Sequence, residues 1–247
     1  MLPYNRALHL DDYTTPELSR HVGDVRAFER LIGSKGVRYR KDHAHREWEY
    51  ANVLRQLREL LTADHAGEVD FKVPREIKIL DTGFGMSYFT PMLKHEGYNV
   101  EASDSMAYGD CTPQLVAQCH AFGFEIPLHK LPVQDMSPIA DQTFDVTLCI
   151  SVIEHLASDA WAKGWSELAR VTKRGGYVMV TTDYFGDEDA WNASPFRSIQ
   201  HQPVTPEFIG EYLGNQRKLR WVGGVDLGYR GAFVNNYSFL NLCLKRL

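Results

Sequence analysis

A glycine turn that follows an acidic strand end is the part of this sequence best suited to chemistry. Residues 77–87 read IKILDTGFGMS, so a short apolar run ends at Asp81 and is followed by Gly83 and Gly85. Glycine adopts backbone angles that other residues avoid, and it lets a ligand approach the main chain closely. A helix that starts after such a turn presents unpaired N–H groups to polar ligand atoms. The segment therefore predicts a site for an adenosine-containing cofactor, although dinucleotide-binding dehydrogenases carry a similar turn.

Two carboxylates follow the next two predicted strands. Asp104 lies 19 residues after Gly85, and an acid at this place accepts hydrogen bonds from the ribose hydroxyls of an adenosine. Asp135 can accept a hydrogen bond from the exocyclic amine of adenine, while the backbone N–H of Met136 reaches a ring nitrogen. Both acids have a simpler interpretation as turn residues. Their assignment to a ligand therefore depends on the glycine turn upstream.

Three blocks of the sequence resemble those of one enzyme family. Residues 143–156, TFDVTLCISVIEHL, closely resemble the fourth-strand block F-D-x, apolar run, E-H-L of small-molecule class I S-adenosylmethionine-dependent methyltransferases. The glycine turn is similar to the family's first motif, D-x-G-x-G-x-G, with Ser87 at the last glycine. Residues 167–182 are similar to the next block, with Arg174 where a proline is usual. Dehydrogenases lack the E-H-L block, so the resemblance favours methyl transfer.

The resemblance implies a fold, a cofactor and a set of roles. The fold would be Rossmann-like α/β, with a seven-stranded, mostly parallel sheet and an antiparallel C-terminal strand. The cofactor would be S-adenosyl-L-methionine, and the partner a small molecule with an O, N or C nucleophile. The residues implied to hold the cofactor are Asp81, Gly83, Gly85, Asp104, Ser105, Asp135, Met136 and Ser151.

The E-H-L block also supplies a candidate catalytic residue, His155. An ordinary imidazole titrates near pH ~6.5, so a neutral histidine at the cleft can remove a proton from an attacking hydroxyl. The alternative is that Glu154 and His155 only shape the loop after the fourth strand. Further residues beyond the fifth strand stand where this class often covers its substrate: Asp183, Tyr184, Trp191, Phe196 and His201.

Short apolar runs alternate with helical patterns from Pro74 onward, which predicts parallel strands joined by crossover helices. The predicted strands cover residues 77–81, 99–104, 128–133, 144–150, 176–182, 219–226 and 237–245. The predicted helices cover residues 87–95, 113–122 and 159–171, and a further helix begins at Pro206.

The first 70 residues differ in character. Apolar side chains at helical spacing over residues 50–61 predict an amphipathic helix. Its predicted solvent-facing residues are Glu49, Asn52, Arg55, Arg58 and Glu59. We interpret residues 1–70 as a helical cap and residues 71–247 as the cofactor-binding catalytic domain. The basic segment Lys35–Arg46 is either a lid whose cations meet an anionic group or a solvated approach to the helix.

Composition narrows the function classes. The chain has 247 residues and a net charge of −5, which argues against a nucleic-acid partner. Its four cysteines lack C-x-x-C spacing, so neither a disulfide framework nor a metal site is expected. No apolar run approaches the roughly 18 residues of a membrane span, and we expect a cytoplasmic protein without a membrane partner. Two alternatives stay open: a nicotinamide-dinucleotide oxidoreductase and a non-catalytic cofactor-binding subunit.

Overall fold

The computed structural model describes residues 2–39, 45–63, 74–198, 202–232 and 237–247. These residues form a mixed sheet with helices on both faces. The strands are β1 (Asn5–Ala7), β2 (Lys78–Thr82), β3 (Asn99–Ser103), β4 (Leu128–His129), β5 (Phe144–Ile150), β6 (Thr172–Tyr184), β7 (Leu219–Trp221), β8 (Val225–Asp226) and β9 (Ser238–Arg246). The α-helices are α1 (Pro16–Ser34), α2 (Arg46–Ala63), α3 (Phe89–His95), α4 (Thr112–Ala121), α5 (Ser158–Val171), α6 (Glu188–Asn192) and α7 (Pro206–Gly214).

The sheet has the order β4-β3-β2-β5-β6-β9-β1-β8, and β7 also pairs with β9. Strands β2 to β6 are parallel to their neighbours, whereas β9 runs antiparallel to both β6 and β7. The predicted Rossmann-like sheet with an antiparallel C-terminal strand is confirmed. Among the described residues the sheet has nine strands instead of the predicted seven, because β1 was not predicted and one predicted strand divides into β7 and β8.

Alternating apolar residues in the parallel strands bury both faces of the sheet. Ile79 packs into the core under α1, α2 and α3, while its neighbour Leu80 packs into the core under α5 and α7. Successive side chains of a strand point to opposite faces, so a strand covered on both sides needs apolar residues throughout. The carboxyl ends of these strands are thereby held at one edge of the sheet.

Two predicted strands are shorter in the structure than in the sequence pattern. The strand predicted over residues 128–133 ends at His129, ahead of Pro132, which has no backbone N–H to donate to a ladder. The strand predicted over residues 219–226 divides into β7 and β8 around Gly223, whose φ is +66°. Both differences come from residues that interrupt pairing rather than from a change of fold.

The predicted solvent-facing side of α2 is wrong. Glu49, Asn52 and Arg55 are fully buried, and Arg58 and Glu59 are half-buried. The helix lies between α1, the sheet and the start of the chain, where polar side chains find backbone partners. Arg55 donates to the carbonyl oxygens of Leu2 and Pro3 at 3.2 Å each, and Gln56 donates to that of Tyr4 at 3.0 Å.

The described part of residues 1–70 is joined to the sheet by β1, and α1 and α2 share their apolar core with β2, β3 and β5. Within the residues that the structure describes, no helix is long and apolar enough to cross a membrane.

Candidate functional site

A cavity of about 770 Å³ opens along the carboxyl ends of the parallel strands. Its volume falls in the range of roughly 300–1,000 Å³ that small-molecule sites occupy. The cavity extends from Asp104, after β3, past Gly83 and Ser151, after β2 and β5, to Asp183 near the end of β6. Crevices at this edge of an open α/β sheet are where such folds bind their ligands.

The β2 end supplies a buried acid and the glycine turn. Thr90 donates a hydrogen bond to Asp81, and burial raises the pKa of the Asp81 carboxyl to about 7. Gly83 has φ +71° and donates to the carbonyl of Ser103 at 2.7 Å. A Cβ atom at Gly83 would lie 2.4 Å from a methyl carbon of Val152, so no larger residue fits there without a shift.

Gly85 completes the turn with φ +53°. A Cβ atom there would have only the Gly83 carbonyl oxygen nearby, at 4.0 Å, and would project beside the cavity. The open space next to this glycine is therefore available for a bound molecule.

Asp104 is fixed at the end of β3 by two backbone N–H groups. Its Oδ2 atom accepts from Gly85 at 3.0 Å and its Oδ1 atom from Met106 at 2.7 Å. Each carboxylate oxygen can accept more than one hydrogen bond, so the group can still accept ribose hydroxyls. Ser105 also lines the cavity and is exposed.

Asp135 and Met136 lie elsewhere than the sequence prediction requires. Asp135 is exposed, and its Oδ1 atom accepts from the N–H of Ser137 at 3.2 Å. The N–H of Met136 donates to Glu167 at 2.7 Å, and the side chain of Met136 is buried. Neither residue lines the cavity; Val133 and Gln134 do. The structure does not bring Asp135 and Met136 to the wall of this cavity, and their role at adenine stays a prediction.

Ser151 is held at the end of β5 in an unusual backbone conformation. Its φ is +50°, which costs free energy for a residue other than glycine. Its hydroxyl donates to Glu49 of α2 at 2.6 Å, and Thr181 of β6 donates to the same carboxylate oxygen at 2.5 Å. Arg46 pairs with the second oxygen of Glu49 at 2.9 Å. Helix α2 is thus tied to the two strands that form this end of the cavity.

Glu154 and Asp183 form an acidic pair beside that anchor. Both are buried and both line the cavity. Burial raises the pKa of the Glu154 carboxyl to about 7, and burial together with the nearby Glu154 raises the pKa of Asp183. The backbone N–H of Asp183 donates to Glu154 Oε1 at 3.3 Å, whereas no described residue donates to Glu154 Oε2.

His155 lines the same end of the cavity and is half-buried. Its ring meets that of Tyr108 edge-on, with 6.1 Å between the ring centroids. Tyr108 is 83% exposed, so the two rings face each other at the mouth of the cavity rather than in its interior. The position suits proton exchange with solvent, and the role of His155 as a base stays a prediction.

The remaining residues predicted from the sequence have different positions in the structure. Of the residues that the sequence placed beyond the fifth predicted strand, Asp183 lines the cavity, whereas Tyr184 and Trp191 are buried in the core. The side chain of Phe196 and residue 201 lie outside what the structure describes, as do residues 40–44 of the basic segment. Within the described part of the chain, no group of His, Cys, Asp and Glu side chains is arranged to hold a metal ion.

Sequence reasoning missed several lining residues. Tyr50 and Tyr237 line the cavity from the start of α2 and the start of β9, and their aromatic type signals packing as readily as a site. Glu49, which does not line the cavity itself, was predicted to face solvent, but it pairs with the lining residue Arg46 at the end of the predicted lid segment. The buried position of α2 places this pair beside the site.

Comparison with known proteins identifies relatives of the chain. A family model described as a methyltransferase domain matches residues 80–180. An uncharacterized protein of Methanocaldococcus jannaschii is 27% identical over 139 residues, which are 55% of this chain and 53% of that protein. The ubiquinone biosynthesis O-methyltransferase of Rickettsia conorii is 26% identical over 155 residues, which are 61% of this chain and 50% of that protein. The chain therefore spans about half the length of these curated relatives.

Solved structures share the fold. The 1,6-didemethyltoxoflavin-N1-methyltransferase of Burkholderia thailandensis, with 1,6-didemethyltoxoflavin and S-adenosylhomocysteine bound, matches with a TM-score of 0.57 and 14% identity, over 99% of this chain and 93% of that one. The geranyl diphosphate C-methyltransferase of Streptomyces coelicolor A3(2), in complex with Mg²⁺, geranyl diphosphate and S-adenosyl-L-homocysteine, matches with a TM-score of 0.55 and 12% identity, over 84% and 86%. At these identities the likeness shows the fold.

Proposed function

We propose that this chain, whose residues 80–180 match a methyltransferase domain, transfers the methyl group of S-adenosylmethionine to an O, N or C nucleophile of a small molecule. The observation that carries the proposal is a continuous cavity with two chemically different ends. One end offers a glycine turn and Asp104, and the other offers buried acids and His155.

The sheet spacing supports room for two molecules. Strands β3 and β6 are three strand intervals apart, which is roughly 14 Å at about 4.8 Å per interval. An adenosine held by Asp104 and Ser105, with its base near Val133 and Gln134, occupies the β3 and β4 side. The methionine portion then lies over Gly83 and Gly85, and the β5 and β6 side is left for an acceptor.

The residues present fit this cofactor. The open space beside Gly85 would hold the cofactor, and Asp104 is fixed in a position to accept hydrogen bonds from the ribose hydroxyls of the cofactor. When bound, the cofactor supplies a methyl group on a positively charged sulfur. The chain's task is to align the nucleophile with that group and to exclude water. Ser151 lies where the methyl group would face the acceptor, and His155 is the candidate base.

The structural neighbours support a small-molecule acceptor. The Burkholderia and Streptomyces enzymes bind 1,6-didemethyltoxoflavin and geranyl diphosphate respectively. The cavity of this chain is bordered by Arg46 and Tyr50 of α2 and by Asp183 near the end of β6, and its size suits a compact acceptor rather than a polymer.

Calorimetry with S-adenosylhomocysteine and NAD tests the proposal. We expect S-adenosylhomocysteine to bind and NAD not to compete with it. Binding of NAD without S-adenosylhomocysteine binding would establish the oxidoreductase alternative instead. Incubation with labelled S-adenosylmethionine and the small-molecule fraction of a cell extract then separates an enzyme from a non-catalytic subunit, since only an enzyme moves label into a new compound.

A further inference from the structure

The β5–β6 end of the cavity contains a buried carboxylate oxygen without a hydrogen-bond donor. Glu154 has no exposed surface and lines the cavity. Its Oε1 atom accepts one long bond, 3.3 Å, from the backbone of Asp183, and its Oε2 atom accepts none from the described residues. Buried polar atoms are nearly always paired in native proteins, so an orphan beside a cavity indicates a donor that arrives with a ligand.

A second glutamate in the same cluster shows what a structural carboxylate looks like. Glu49 accepts from Ser151, Thr181 and Arg46 at 2.5–2.9 Å. Both of its oxygens are therefore satisfied by the protein. Glu154 is equally buried, but the described residues do not supply donors to both of its oxygens. We therefore distinguish Glu154, which faces the ligand site, from Glu49, which anchors α2.

The charges around Glu154 favour a donor that is neutral or positive. Arg46 and Glu49 of α2 neutralise each other by their ion pair. Asp183 of β6 adds a second acid, while His155 follows Glu154 in the same turn, and Tyr237, directly before β9, lies close enough to interact with both acids. An anionic nucleophile such as a phenolate or carboxylate would meet two acids here, and like charges at a buried site oppose binding.

Resting on the function proposed above, we propose that this end of the cavity binds the methyl acceptor and that the acceptor's nucleophile is an amine nitrogen that carries hydrogen. Glu154 is then a catalytic residue, because its Oε2 atom accepts a hydrogen bond from that nitrogen. An amine nitrogen carries an N–H donor for Glu154 Oε2, which a carbon nucleophile lacks, and it gains a positive charge as it accepts the methyl group, which two adjacent acids stabilise. The amine class therefore matches both the unpaired acceptor and the acidic surroundings at this end of the cavity.

The transfer balances with the groups in place. The nitrogen lone pair forms a bond to the methyl carbon, and the bond between that carbon and sulfur breaks. The electron pair of the broken bond stays on sulfur, which leaves neutral S-adenosylhomocysteine. The positive charge moves to the nitrogen, where Glu154 and Asp183 stabilise it, and the nitrogen then gives one proton to Glu154. His155, at the cavity mouth, can pass that proton to solvent.

Sinefungin is a direct probe of this site because an amine-bearing carbon replaces the methylated sulfur of the cofactor. Its ammonium group would enter the space where the methyl group meets the acceptor. Calorimetry at about pH 8 keeps a carboxyl whose pKa is about 7 ionised. We expect wild-type protein to bind sinefungin about tenfold or more tightly than S-adenosylhomocysteine, as one charge-assisted hydrogen bond provides.

The variant Glu154→Gln should remove most of that preference while its affinity for S-adenosylhomocysteine stays unchanged. Glu125→Gln, which alters an exposed acid outside the cavity, should keep the preference. A sinefungin preference that is the same in Glu154→Gln and wild type overturns the inference, as does a wild type without any preference. If Glu154→Gln does not fold, Glu154→Asp carries the same test, because it withdraws the carboxylate by one methylene.

The outcome also separates this inference from the function beneath it. Wild-type protein that binds neither S-adenosylhomocysteine nor sinefungin contradicts the proposed function. If wild-type protein binds both compounds and the ratio of the two affinities is the same in Glu154→Gln, the proposed function is retained and only the amine acceptor site is contradicted.

Discussion

Four aspartates in this chain have the same chemistry and different surroundings, and the surroundings decide what each can do. Asp81 is buried below the glycine turn, and burial raises the pKa of its carboxyl to about 7. Asp104 is half-buried and held by two N–H groups at the cavity wall. Asp135 is exposed and caps a local turn. Asp183 is buried among other acids. A sequence shows four acids after strands, but only the fold sorts them.

Replacing Asp104 by alanine should weaken S-adenosylhomocysteine binding. Losing an acceptor for two hydroxyl groups costs on the order of 2–3 kcal/mol, or roughly 30–150-fold in affinity. Asp135→Ala is the matched control, since it removes an acid that follows a neighbouring strand but lies outside the cavity. Calorimetry on both folded variants tests the contrast. Equal losses of affinity would place Asp135 in the site after all, and no loss in Asp104→Ala would remove Asp104 from it.

The two glycines of the turn should respond differently to alanine. At Gly83 the new methyl group would meet Val152 at 2.4 Å in addition to a positive φ, so we expect a loss of about 2–4 kcal/mol in unfolding free energy. At Gly85 there is no clash, so about 1–2 kcal/mol is expected from the backbone alone. The added methyl group at Gly85 would occupy space that the cofactor needs, so the affinity for S-adenosylhomocysteine should fall more than the stability does.

Chemical denaturation and calorimetry measure the two losses side by side. Adding Val152→Ala to Gly83→Ala should recover part of the lost stability because it removes the obstructing methyl groups. Similar stability losses at both glycines, with no recovery in the double variant, would contradict the steric account.

At the scale of elements, the parallel core could be predicted from sequence and the surroundings of α2 could not. Strand β5 was predicted with its observed bounds because seven consecutive residues suit a strand buried on both faces. Helix α2 was predicted with the wrong face in solvent, since Glu49, Asn52 and Arg55 are polar. Polar residues signal exposure only when no buried partner exists, and here Arg55 and Glu49 each have partners 52 to 132 residues away that local pattern does not reveal.

The same limit applies to the site. The glycine turn and Asp104 are adjacent to their strands, so local pattern located them. The role of Asp135 depended on the direction of a turn, which local pattern does not fix. Strand β1 has three residues and no repeat of its own, and it exists because β9 offers an unpaired edge.

Helix α2 allows a test of its anchoring role within its first turn. Glu49→Ala removes a buried acceptor of three hydrogen bonds and leaves Arg46 without this partner, which should cost about 3–5 kcal/mol of stability. Glu47→Ala, two residues earlier, removes an ion pair with the half-exposed Arg26 and should cost about 0–1 kcal/mol. Denaturant unfolding compares the two; similar costs would show that α2 is not fastened to β5 and β6 through Glu49.

At the scale of the whole molecule, the acids with raised pKa values are spatially separated from most of the acids with lowered values. The exception is Asp110, which lines the cavity and whose pKa is lowered by hydrogen bonds from Thr112. The acids with raised pKa values, Asp81, Glu154 and Asp183, all line the cavity. Away from it, Lys78 and His129 hold the pKa of Glu101 below its usual range despite partial burial, and Arg170 does the same for Glu167. Acids that are costly to ionise persist where they serve a ligand, so the separation marks the cavity as the functional region.

This separation predicts opposite pH dependences for two glutamate variants. In the folded protein the pKa of Glu154 is about 7, whereas an ordinary glutamate has a pKa of 4.5. The folded state therefore holds the proton more tightly, and the stability that this group contributes is present below about pH 4.5 and lost as pH rises through about 7. Glu154→Gln carries no such charge, so it should match wild type near pH 4.5 and exceed it by on the order of 3 kcal/mol above pH 7.

Glu101→Gln serves as the control of opposite sign. Because its pKa is lowered in the folded state, Glu101 contributes stability at neutral pH that is lost as pH falls through the folded pKa. Removing it should destabilise the protein at neutral pH and matter less in acid. Urea unfolding of both variants and wild type, without ligand, at several values between about pH 4.5 and 8 measures the difference. If the stability of Glu154→Gln relative to wild type does not increase with pH, Glu154 is ionised as easily as a surface acid. Its burial beside the cavity would then impose no free-energy cost that a ligand could offset.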